Sequence, residues 1–456
     1  MQHPKVAILG AGSFFFGRKS IWQMVHSPHL RGGTLALVDT DADRLDKMKR
    51  LAELAVAHHD APLKVEASTD RRDVLADADF VILCFAHRNA HYRGVDCAIS
   101  EKYGIRMCSG DTIGPGGVFR ALRELPEIFN AARDIAQLCP GAWVINYINP
   151  AAVGGVALQR FFPELKSFAL CDAQHGLRQR FANMTTVPND DKLTVHTAGP
   201  NHFTWLLRAE YDGRDLIPEI VRQARERADA DFNEQVQGGT AAAKGWLNNS
   251  IAIELHDAMG YLPTVLGHTK EYVRYYQGLG TSGQDRHPPL KIFEWEDRVT
   301  ATDGAWRRVD DFIAGRATMD EFDAEFGPDP ATDVIEGMWA NLGKPFFINT
   351  LNRGAVTNMP DDAVIELACD MDMAGPRPHA VGPMPVGLRG MSQTILDTHE
   401  LTAQAAWEQR LDLVRRALLV DPLTSSIGDT DALMAELIEA ERDALPAWCQ
   451  GQMQPA

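Results

Sequence analysis

The sequence predicts an α/β fold in which a doubly wound parallel sheet is joined to a second, α+β domain. Apolar, strand-like runs alternate with amphipathic, helix-like segments over residues 1–175, and a glycine-rich turn follows the first of these runs. Such alternation implies a parallel sheet covered by helices on both faces. Over residues 176–456 the strict alternation ends, so we place the domain boundary between these two ranges.

The first domain is predicted as a series of strand and helix units. Lys5 to Leu9 form an aliphatic strand, and after the turn GAGSFFFG a helical pattern spans Lys19 to His26. The run TLALVD ends in Asp39 and is followed by the helical pattern of DADRLDKMKRLAELAVAHH. ADFVILCFA and AWVINYINP are the next two predicted strands, and the last run, SFAL, stops just before Cys171.

The second domain mixes predicted strands and helices. The segment TVHTAGPNHFTWLLRAEYDGRDL has the pattern of strands in an added sheet, with Asp212 and Gly213 as a turn signal. Residues 216–280 and 398–445 are mostly helical in pattern. The segment AGPRPHAVGPMPVGLRG is predicted to be a folded loop near a site or an interface, because it is too short to link independent domains.

Composition and charge narrow the class of protein. The chain has 456 residues, a formal charge of −17 and a pI near 5.3, and an acidic surface repels nucleic acid and anionic membranes. The N-terminus lacks the pattern of a signal peptide, so we expect a cytoplasmic protein. Its seven cysteines include no C-x-x-C pair, and we expect them to be reduced.

The glycine turn is a candidate dinucleotide site. Gly10 and Gly12, with Ser13 beside them, follow a strand and precede a helix, where the backbone can approach a pyrophosphate. Phe15 occupies the third glycine position of G-x-G-x-x-G, but Asp39 can bond a ribose hydroxyl and repel a 2′-phosphate. The pattern favours NAD over NADP, with a purely structural glycine turn as the alternative. The fold class is then Rossmann-like with a second α+β domain, as in lactate and malate dehydrogenases.

Three further residues are candidates for a site at the same edge of the sheet. Ligands of parallel sheets bind beyond the carboxyl ends of the strands, where Cys171 and Asn149 follow their apolar runs. His202 comes after a glycine-proline turn and beside aromatic residues. Taken singly, a cysteine such as Cys171 is more often core filler, and a histidine such as His202 is more often a buried hydrogen-bonding group.

The combination of motifs resembles glycoside hydrolase family 4, the NAD- and manganese-dependent glycosidases. The resemblance extends from Val6 to about Ser425 and rests on these segments: ILGAGS, DADFVI, GDTIGPGGVFRALRELP, AWVINYINPAA, CD, GPNHFTW, EYVRYY, NTLNRGAVTNMPDDAVIE and VGPMPVGL. In that family the central cysteine and histidine bind a divalent metal, usually Mn²⁺, so the resemblance implies that Cys171 and His202 are metal ligands. A thiolate and an imidazole are suitable donors for such an ion.

The resemblance also implies an unusual reaction. Most glycosidases use two carboxylates, whereas members of this family oxidise the sugar at C3 with NAD⁺, which acidifies the proton on C2. A base removes that proton, the C1 substituent is eliminated, water adds, and the hydride returns. Asp172 matches the general acid of members that cleave α-linked phosphosugars, which favours an α-glycoside. The alternative for Asp172 is a helix N-cap.

Tyr272 is the expected base, by resemblance of EYVRYY to the motif that carries the family's C2 base. Some α-glycosidases of the family use an aspartate instead, but the corresponding stretch here, LGHTKEY, has none. A phenol titrates near pH 10, so a metal or another cation must stabilise the phenolate. Tyr272 could also be a core aromatic residue.

The sugar is expected to be anionic. By resemblance Asp111 and Asn149 bond sugar hydroxyls, and Arg93 meets an anionic substituent. Arg88, Lys270 and Arg286 could reinforce Arg93. A uronic acid, a 6-phosphosugar and sulfoquinovose are the candidates. These arginines could also be ordinary surface residues, and the sequence CDAQHG departs from the patterns of the better-known subgroups.

Two other functions compete with the glycosidase. An ordinary NAD-dependent dehydrogenase of a hydroxy acid or polyol would accumulate NADH and would not need Cys171. A non-catalytic NAD-binding sensor would need neither Asp172 nor Tyr272. The resemblance further implies that the protein is a homodimer or a homotetramer. It also implies that the molecule it binds is a small glycoside.

Overall fold

The computed structural model describes residues 3–13, 16–232 and 248–451. Within them, the strands are β1 Lys5–Leu9, β2 Thr34–Val38, β3 Lys64–Ser68, β4 Phe80–Leu83, β5 Trp143–Asn146, β6 Lys166–Ala169, β7 Leu193–Gly199, β8 Trp205–Tyr211, β9 Arg214–Asp215, β10 Leu262–Pro263, β11 Pro345–Leu351, β12 Val364–Asp372 and β13 Gly375–Pro378. The α-helices are α1 Gly17–His26, α2 Ala42–His58, α3 Asn89–Lys102, α4 Gly114–Leu138, α5 Ala151–Phe161, α6 Leu177–Thr185, α7 Ile217–Phe232, α8 Asn248–Met259, α9 Trp295–Ile313, α10 Met319–Glu325, α11 Pro330–Trp339, α12 Val386–Glu408, α13 Leu411–Val420 and α14 Ile427–Ala440.

All these strands belong to one sheet, which is parallel at one end and antiparallel at the other. The strand order is β10-β8-β7-β12-β11-β6-β5-β4-β1-β2-β3, with β13 on β12 and β9 on β8. The parallel part, β3-β2-β1-β4-β5-β6, reverses its winding between β1 and β4, which is the doubly wound order of dinucleotide-binding folds. The predicted fold class is therefore confirmed.

The antiparallel part begins where β11 joins β6. Asn349 of β11 lies opposite Ala169 on one side and opposite Glu366 of β12 on the other. The strand pair β7 and β8 continues the sheet beyond β12. This junction places β12 one strand away from β6, and the β7–β8 connection approaches the carboxyl end of β6, where Cys171 follows.

The structure differs from the sequence prediction in several local features. Strand β3 was not predicted, because Lys64–Ser68 is a partly exposed edge strand without an apolar run. Helix α1 begins at Gly17 rather than at Lys19. The segment expected to be a single loop contains β13 and the start of α12, because Gly375–Pro378 pairs with β12.

Helices from both ends of the chain cover the sheet. The C-terminal helices α12, α13 and α14 pack on α5, α4 and α3 of the N-terminal half. Chain order therefore does not separate the packing of the two halves, and a domain boundary between residues 175 and 176 stays a prediction. In the described part of the chain, no helix has both the length and the apolar surface needed to cross a bilayer.

All seven cysteines are buried, and none of them forms a disulfide.

Candidate active site

The glycine turn between β1 and α1 has the geometry of a dinucleotide cradle. Gly10 has φ +98°, and a Cβ at this position would lie 2.5 Å from the backbone nitrogen of Phe85. Only glycine fits both the dihedral angle and the close approach. The Gly10 amide donates to the carbonyl of Val38, at 2.8 Å, which fixes the turn to the end of β2.

Asp39 lies against this turn, as the sequence predicts. Its Oδ2 accepts a hydrogen bond from the Gly12 amide at 2.8 Å, and its Oδ1 accepts one from the Asp41 amide at 3.0 Å. A carboxylate oxygen can accept more than one hydrogen bond, so both oxygens keep capacity for a ribose hydroxyl. Ser13 closes the turn by donating its amide to the Gly10 carbonyl, at 2.9 Å.

The third glycine of the turn is displaced rather than absent. A Cβ at Gly17 would lie 2.2 Å from the carbonyl oxygen of Ala11, so this residue permits the close packing of helix α1 on the turn. The sequence analysis looked for that residue at Phe15, which lies outside the described residues. The last letter of GAGSFFFG was the signal that could have identified Gly17.

Cys171 and His202 face each other at the carboxyl end of β6. Cys171 follows β6 and begins the short 3-10 helix Asp172–Gln174, where its sulfur accepts the amide hydrogen of Ala173. His202 lies in the tight connection between β7 and β8 with φ +66°. The Cys171 Sγ and the His202 Nε2 are 3.0 Å apart, and both side chains are buried.

The protonation states of this pair follow from their burial. Burial, with Glu366 and Asp172 adding to it, raises the pKa of the Cys171 thiol well above its usual value. Burial and the neighbouring His268 keep the pKa of His202 well below its usual value. Burial thus favours the uncharged form of both side chains.

These two donors fit a divalent cation. In a metal site with bonds of about 2.0–2.3 Å, sulfur and nitrogen ligands are neighbours at roughly the separation of this pair. The His202 Nδ1 lies 3.2 Å from the Thr112 hydroxyl, which fixes the ring and leaves Nε2 to face the sulfur. A bound cation would replace the thiol proton and hold the thiolate.

Two polar residues that the sequence analysis missed support the pair. Thr112 lies on the loop before α4 and contacts the His202 ring. Glu366 of β12 is fully buried, and its Oε2 accepts a hydrogen bond from Asn201, next to His202, at 3.2 Å. The sequence around Glu366, DDAVIEL, did not predict this role. A glutamate in an apolar strand can be assigned a partner only once the neighbouring strands are known.

A buried ionic cluster surrounds Asp111. Its Oδ2 accepts hydrogen bonds from Arg120 at 2.8 Å and from Asn149 at 3.2 Å, and its Oδ1 accepts one from the Ser109 hydroxyl at 2.7 Å. Arg93 donates to the Ser109 carbonyl, at 3.0 Å, and lies 3.5 Å from Asp111. The structure brings Asp111, Asn149 and Arg93 together, and their expected roles in binding the sugar stay predictions. Arg120 was missed.

The electrostatics of this cluster favour a carboxylate surrounded by excess positive charge. Burial alone would raise the pKa of Asp111, but Arg93 and Arg120 hold it well below its usual range. The sequence analysis also missed Arg298 of α9, which lies near this cluster. Burial lowers the pKa of Arg298, Arg93 lowers it further, and Asp111 opposes the shift.

Tyr272 lies between the two groups. Its ring stacks on Phe203, next to His202, with centroids 5.8 Å apart. Burial raises the pKa of Tyr272 well above its usual value, and Thr112 partly opposes the shift. The alternative reading as a core aromatic is correct in that the side chain is fully buried, but Tyr272 also adjoins the residues that hold Cys171 and Asp111 in place.

Asp172, Lys270 and Arg286 occupy three different environments. Asp172 is exposed beside Cys171, and Cys171, rather than Asp172, caps the short helix. Lys270 is fully buried, and burial lowers its pKa against the opposing effect of Cys108 and Glu271.

Arg286 lies elsewhere, on a surface cavity. It is 3.8 Å from Asp229 and lines that cavity with Glu254 and His287. The cavity has an empty volume of about 650 Å³. A role for Arg286 in substrate binding stays a prediction.

Tyr147 connects the glycine turn to the Cys171 pair. Its ring centroid lies 3.9 Å from that of Phe16, directly before α1. Burial raises the pKa of Tyr147 well above its usual value, and the nearby carboxylates of Asp329 and Asp172, the latter next to Cys171, add to this shift. The candidate dinucleotide turn and the candidate metal pair therefore share one edge of the sheet.

Comparison with protein families gives two matches that cover most of the chain. Residues 5–187 match the family described as "Family 4 glycosyl hydrolase", and residues 197–424 match "Family 4 glycosyl hydrolase C-terminal domain".

Curated relatives match over nearly their whole length. The α-galactosidase of Bacillus subtilis is 29% identical over 452 residues, which cover 97% of this chain and 99% of that protein. The α-glucosidase of Erwinia rhapontici is 26% identical, with 96% and 98% covered. The α-galacturonidase of Bacillus subtilis is also 26% identical, with 96% and 98% covered.

Solved structures share the fold. A 6-phospho-α-glucosidase from gut microorganisms, solved with NAD and Mn²⁺, has a TM-score of 0.82 at 24% identity and covers 98% of this chain and 99% of its own. The malate dehydrogenase of Cryptosporidium parvum has a TM-score of 0.51 at 12% identity, with 90% and 100% covered. The second likeness agrees with the predicted dehydrogenase-like arrangement.

Proposed function

The chain belongs to family 4 of the glycosyl hydrolases and is a glycosidase, and on that premise we propose that it hydrolyses an α-glycoside of an anionic sugar with NAD and a divalent cation. The observation that carries the proposal is the 3.0 Å approach of the Cys171 sulfur to the His202 Nε2, at the sheet edge that also holds the glycine turn. The complex of NAD and Mn²⁺ with the related 6-phospho-α-glucosidase supports both cofactors.

Each cofactor has its own set of proposed contacts. Gly10, Gly12 and Ser13 would contact the pyrophosphate, and Asp39 would accept a hydrogen bond from a ribose hydroxyl. Cys171 and His202 would hold the cation. When bound, the dinucleotide supplies a hydride acceptor and the cation supplies Lewis-acid polarisation of the sugar oxygens at C2 and C3.

The protein's own residues move two protons in the proposed reaction. After transient oxidation at C3, Tyr272 removes the proton from C2, and Asp172 protonates the glycosidic oxygen as its bond to C1 breaks. Water then adds at C1 and C2 regains a proton, and because the dinucleotide would return its hydride to C3, no NADH should accumulate. The exposed position of Asp172 beside Cys171 suits a group that must regain a proton from solvent.

The proposed preference for an anionic sugar rests on the cluster around Asp111. Arg93 and Arg120 bring two positive charges to one buried aspartate. Burial raises the pKa of Glu124, which also faces Arg120, to about 7, so it cancels only part of this charge near neutral pH. A carboxylate, phosphate or sulfonate on the sugar would balance the remainder.

The alternative of an ordinary NAD-dependent dehydrogenase is not favoured, because the matching family and the curated relatives are glycosidases. Cytoplasmic location and assembly as a homodimer or homotetramer stay predictions.

A panel of substrates tests the proposal. Reduced protein is incubated with NAD⁺, Mn²⁺ and the nitrophenyl α-glycosides of glucose, galactose, glucuronic acid, galacturonic acid, glucose 6-phosphate and sulfoquinovose, and both nitrophenolate and NADH are recorded. We expect nitrophenolate without NADH, and the fastest release from an anionic sugar. Stoichiometric NADH, or release that needs neither cofactor, would contradict the proposal.

A pair of cysteine variants provides the matched control. Cys171→Ser should lose metal-dependent release, because a hydroxyl is a much weaker ligand than a thiolate. Cys369→Ser replaces another buried cysteine, on β12, and should retain the activity.

A further inference from the structure

A second group of potential metal ligands lies where helices α1, α2 and α10 meet. We call it the histidine cluster, and it consists of His26, His58, His59, Asp320 and Asp323. His26 ends α1, whose first residue packs on the glycine turn, so the cluster lies about 15 Å away along a ten-residue helix. None of its members takes part in the candidate active site.

Asp323 is the centre of the cluster. Its Oδ1 is 3.3 Å from the His26 Nε2, and its Oδ2 is 2.9 Å from the His59 Nε2. The His58 Nε2 lies 3.9 Å from Asp323 and 3.1 Å from Asp320. One ligand atom from each of His26, His59 and Asp323 lies within 4.8 Å of the others, which is close enough to contract around one ion.

The hydrogen bond on the far side of the His26 ring decides what its Nε2 can do. The His26 Nδ1 is 2.8 Å from the carbonyl oxygen of Trp22, which can only accept, so Nδ1 must carry a hydrogen. The Trp22 ring stacks on His26, with centroids 4.2 Å apart, and holds it in this orientation. In the neutral imidazole, Nε2 therefore presents a lone pair to the carboxylate of Asp323.

The lone pair of the His26 Nε2 and a carboxylate oxygen 3.3 Å away repel each other unless a proton or a cation lies between them. Among the described residues, the ion pairs of Asp323 are all with histidines, so neither lysine nor arginine offsets its charge. A proton shared by the imidazole and the carboxylate, or a cation, would relieve the repulsion. A backbone carbonyl on Nδ1 and a carboxylate beside Nε2 is the usual arrangement of a metal-binding histidine.

We propose that the histidine cluster is a second divalent metal site, held by the Nε2 atoms of His26 and His59 and a carboxylate oxygen of Asp323, with His58 or water completing the shell. Imidazole-rich sets of four ligands with one carboxylate suit Zn²⁺ and Co²⁺ better than Mn²⁺ or Mg²⁺. The ion ties α1 and α2, which flank the dinucleotide turn, to α10 of the second half of the chain, and its role is structural.

Cobalt distinguishes this site from the one at Cys171. Co²⁺ bound to a thiolate gives a strong charge-transfer band in the near ultraviolet, whereas a site of imidazole and carboxylate gives only visible d–d bands. The test uses the full-length Cys171→Ser protein, stripped with a chelator and titrated with Co²⁺ and then with Zn²⁺. We expect one tight site per chain with tetrahedral visible bands, displacement by Zn²⁺, and a higher Tm with either metal.

Substitutions within the same background locate the site. Asp323→Asn and His26→Gln should each weaken Co²⁺ binding by about tenfold or more and remove the metal-dependent rise in Tm. Glu321→Gln is the matched control, because Glu321 is on the same helix but pairs with Arg308. It should bind Co²⁺ as the parent does.

Two outcomes would overturn the proposal. The first is the absence of a saturable tetrahedral Co²⁺ site in the folded Cys171→Ser protein, which would mean that imidazolium protons supply the charge. The second is unchanged Co²⁺ affinity in Asp323→Asn and His26→Gln. Neither readout depends on glycosidase activity, so the proposal and the proposed function fail separately.

Discussion

At the scale of single residues, the burial of Tyr272 conflicts with its proposed role as a base. Tyr272 is fully buried, and burial raises its pKa, which disfavours the phenolate that a base requires. Thr112 acts in the other direction on Tyr272 and also contacts His202. The tyrosine can therefore act as a base only when positive charge is added beside it, which couples its proposed role to the loading of the site.

The first prediction concerns the proton on C2 of the sugar. Tyr272→Phe should reduce exchange of that proton with solvent deuterium by about a hundredfold or more, because general base catalysis contributes rate factors of about that size. Exchange is measured by NMR on the folded, cofactor-loaded protein. Tyr275→Phe, in the same segment but 56% exposed, is the control and should exchange normally. Normal exchange in Tyr272→Phe would remove the base assignment.

At the scale of elements, buried caps join helices that are distant in the chain. Asp329 is the N-cap of α11 and accepts a hydrogen bond from the Thr332 amide at 3.2 Å. The same oxygen accepts one from the Ser20 hydroxyl of α1, also at 3.2 Å. Burial raises the pKa of Asp329 to about 6, so its carboxyl group keeps its proton to a higher pH in the folded protein than in the unfolded chain.

The second prediction follows from the sign of that shift. A raised pKa in the folded state stabilises the protein below the unfolded pKa of about 3.9, and this contribution is lost as the pH rises through about 6. Asp329→Asn keeps a capping oxygen and cannot ionise, so relative to wild type it should gain about 1–3 kcal/mol of stability between about pH 4 and pH 8. Urea unfolding at several pH values measures the difference.

The control for this experiment is another N-cap aspartate. Asp41 caps α2 but is exposed, and Asp41→Asn should change stability by no more than about 0.5 kcal/mol. A pH-independent effect of Asp329→Asn would contradict the argument.

At the scale of the whole molecule, a buried ionic triad connects the C-terminal segment to the N-terminal half. Arg123 of α4 bonds Asp96 of α3 at 2.8 Å and also contacts Glu441, which follows α14. All three side chains are buried. The triad adds a charged contact to the packing of α14 on α3, and together they join the C-terminal segment to the N-terminal half.

The third prediction tests this connection. Arg123→Leu leaves two buried carboxylates without their partner and should cost about 3–5 kcal/mol of unfolding free energy. Arg133→Leu, on the exposed face of the same helix, should cost no more than about 0.5 kcal/mol. The comparison is made by urea unfolding, with limited proteolysis of the C-terminal segment as a second readout. Equal losses in the two variants would show that the triad has no special role.

The sequence alone determined the fold class and the glycine turn with Asp39, because these depend on local patterns: apolar runs, glycine positions and the residue that ends a strand. Strand β3 failed the same test, because an exposed edge strand such as Lys64–Ser68 has no apolar run to detect. The meeting of Cys171 with His202 was implied only by the resemblance to the family, since either residue taken alone is more often structural.

The tertiary structure decided everything that depends on long-range pairing. The contacts of Arg120, Thr112 and Glu366 form only because α4 and β12 pack near β6 in the folded protein. Arg286 instead lies on a surface cavity with Glu254 and His287. The histidine cluster likewise exists only because α10 packs across the ends of α1 and α2. Local patterns reflect the chain's own periodicity, whereas the partner of a buried charge is set by which distant elements pack around it, and a single sequence does not contain that information in any local form.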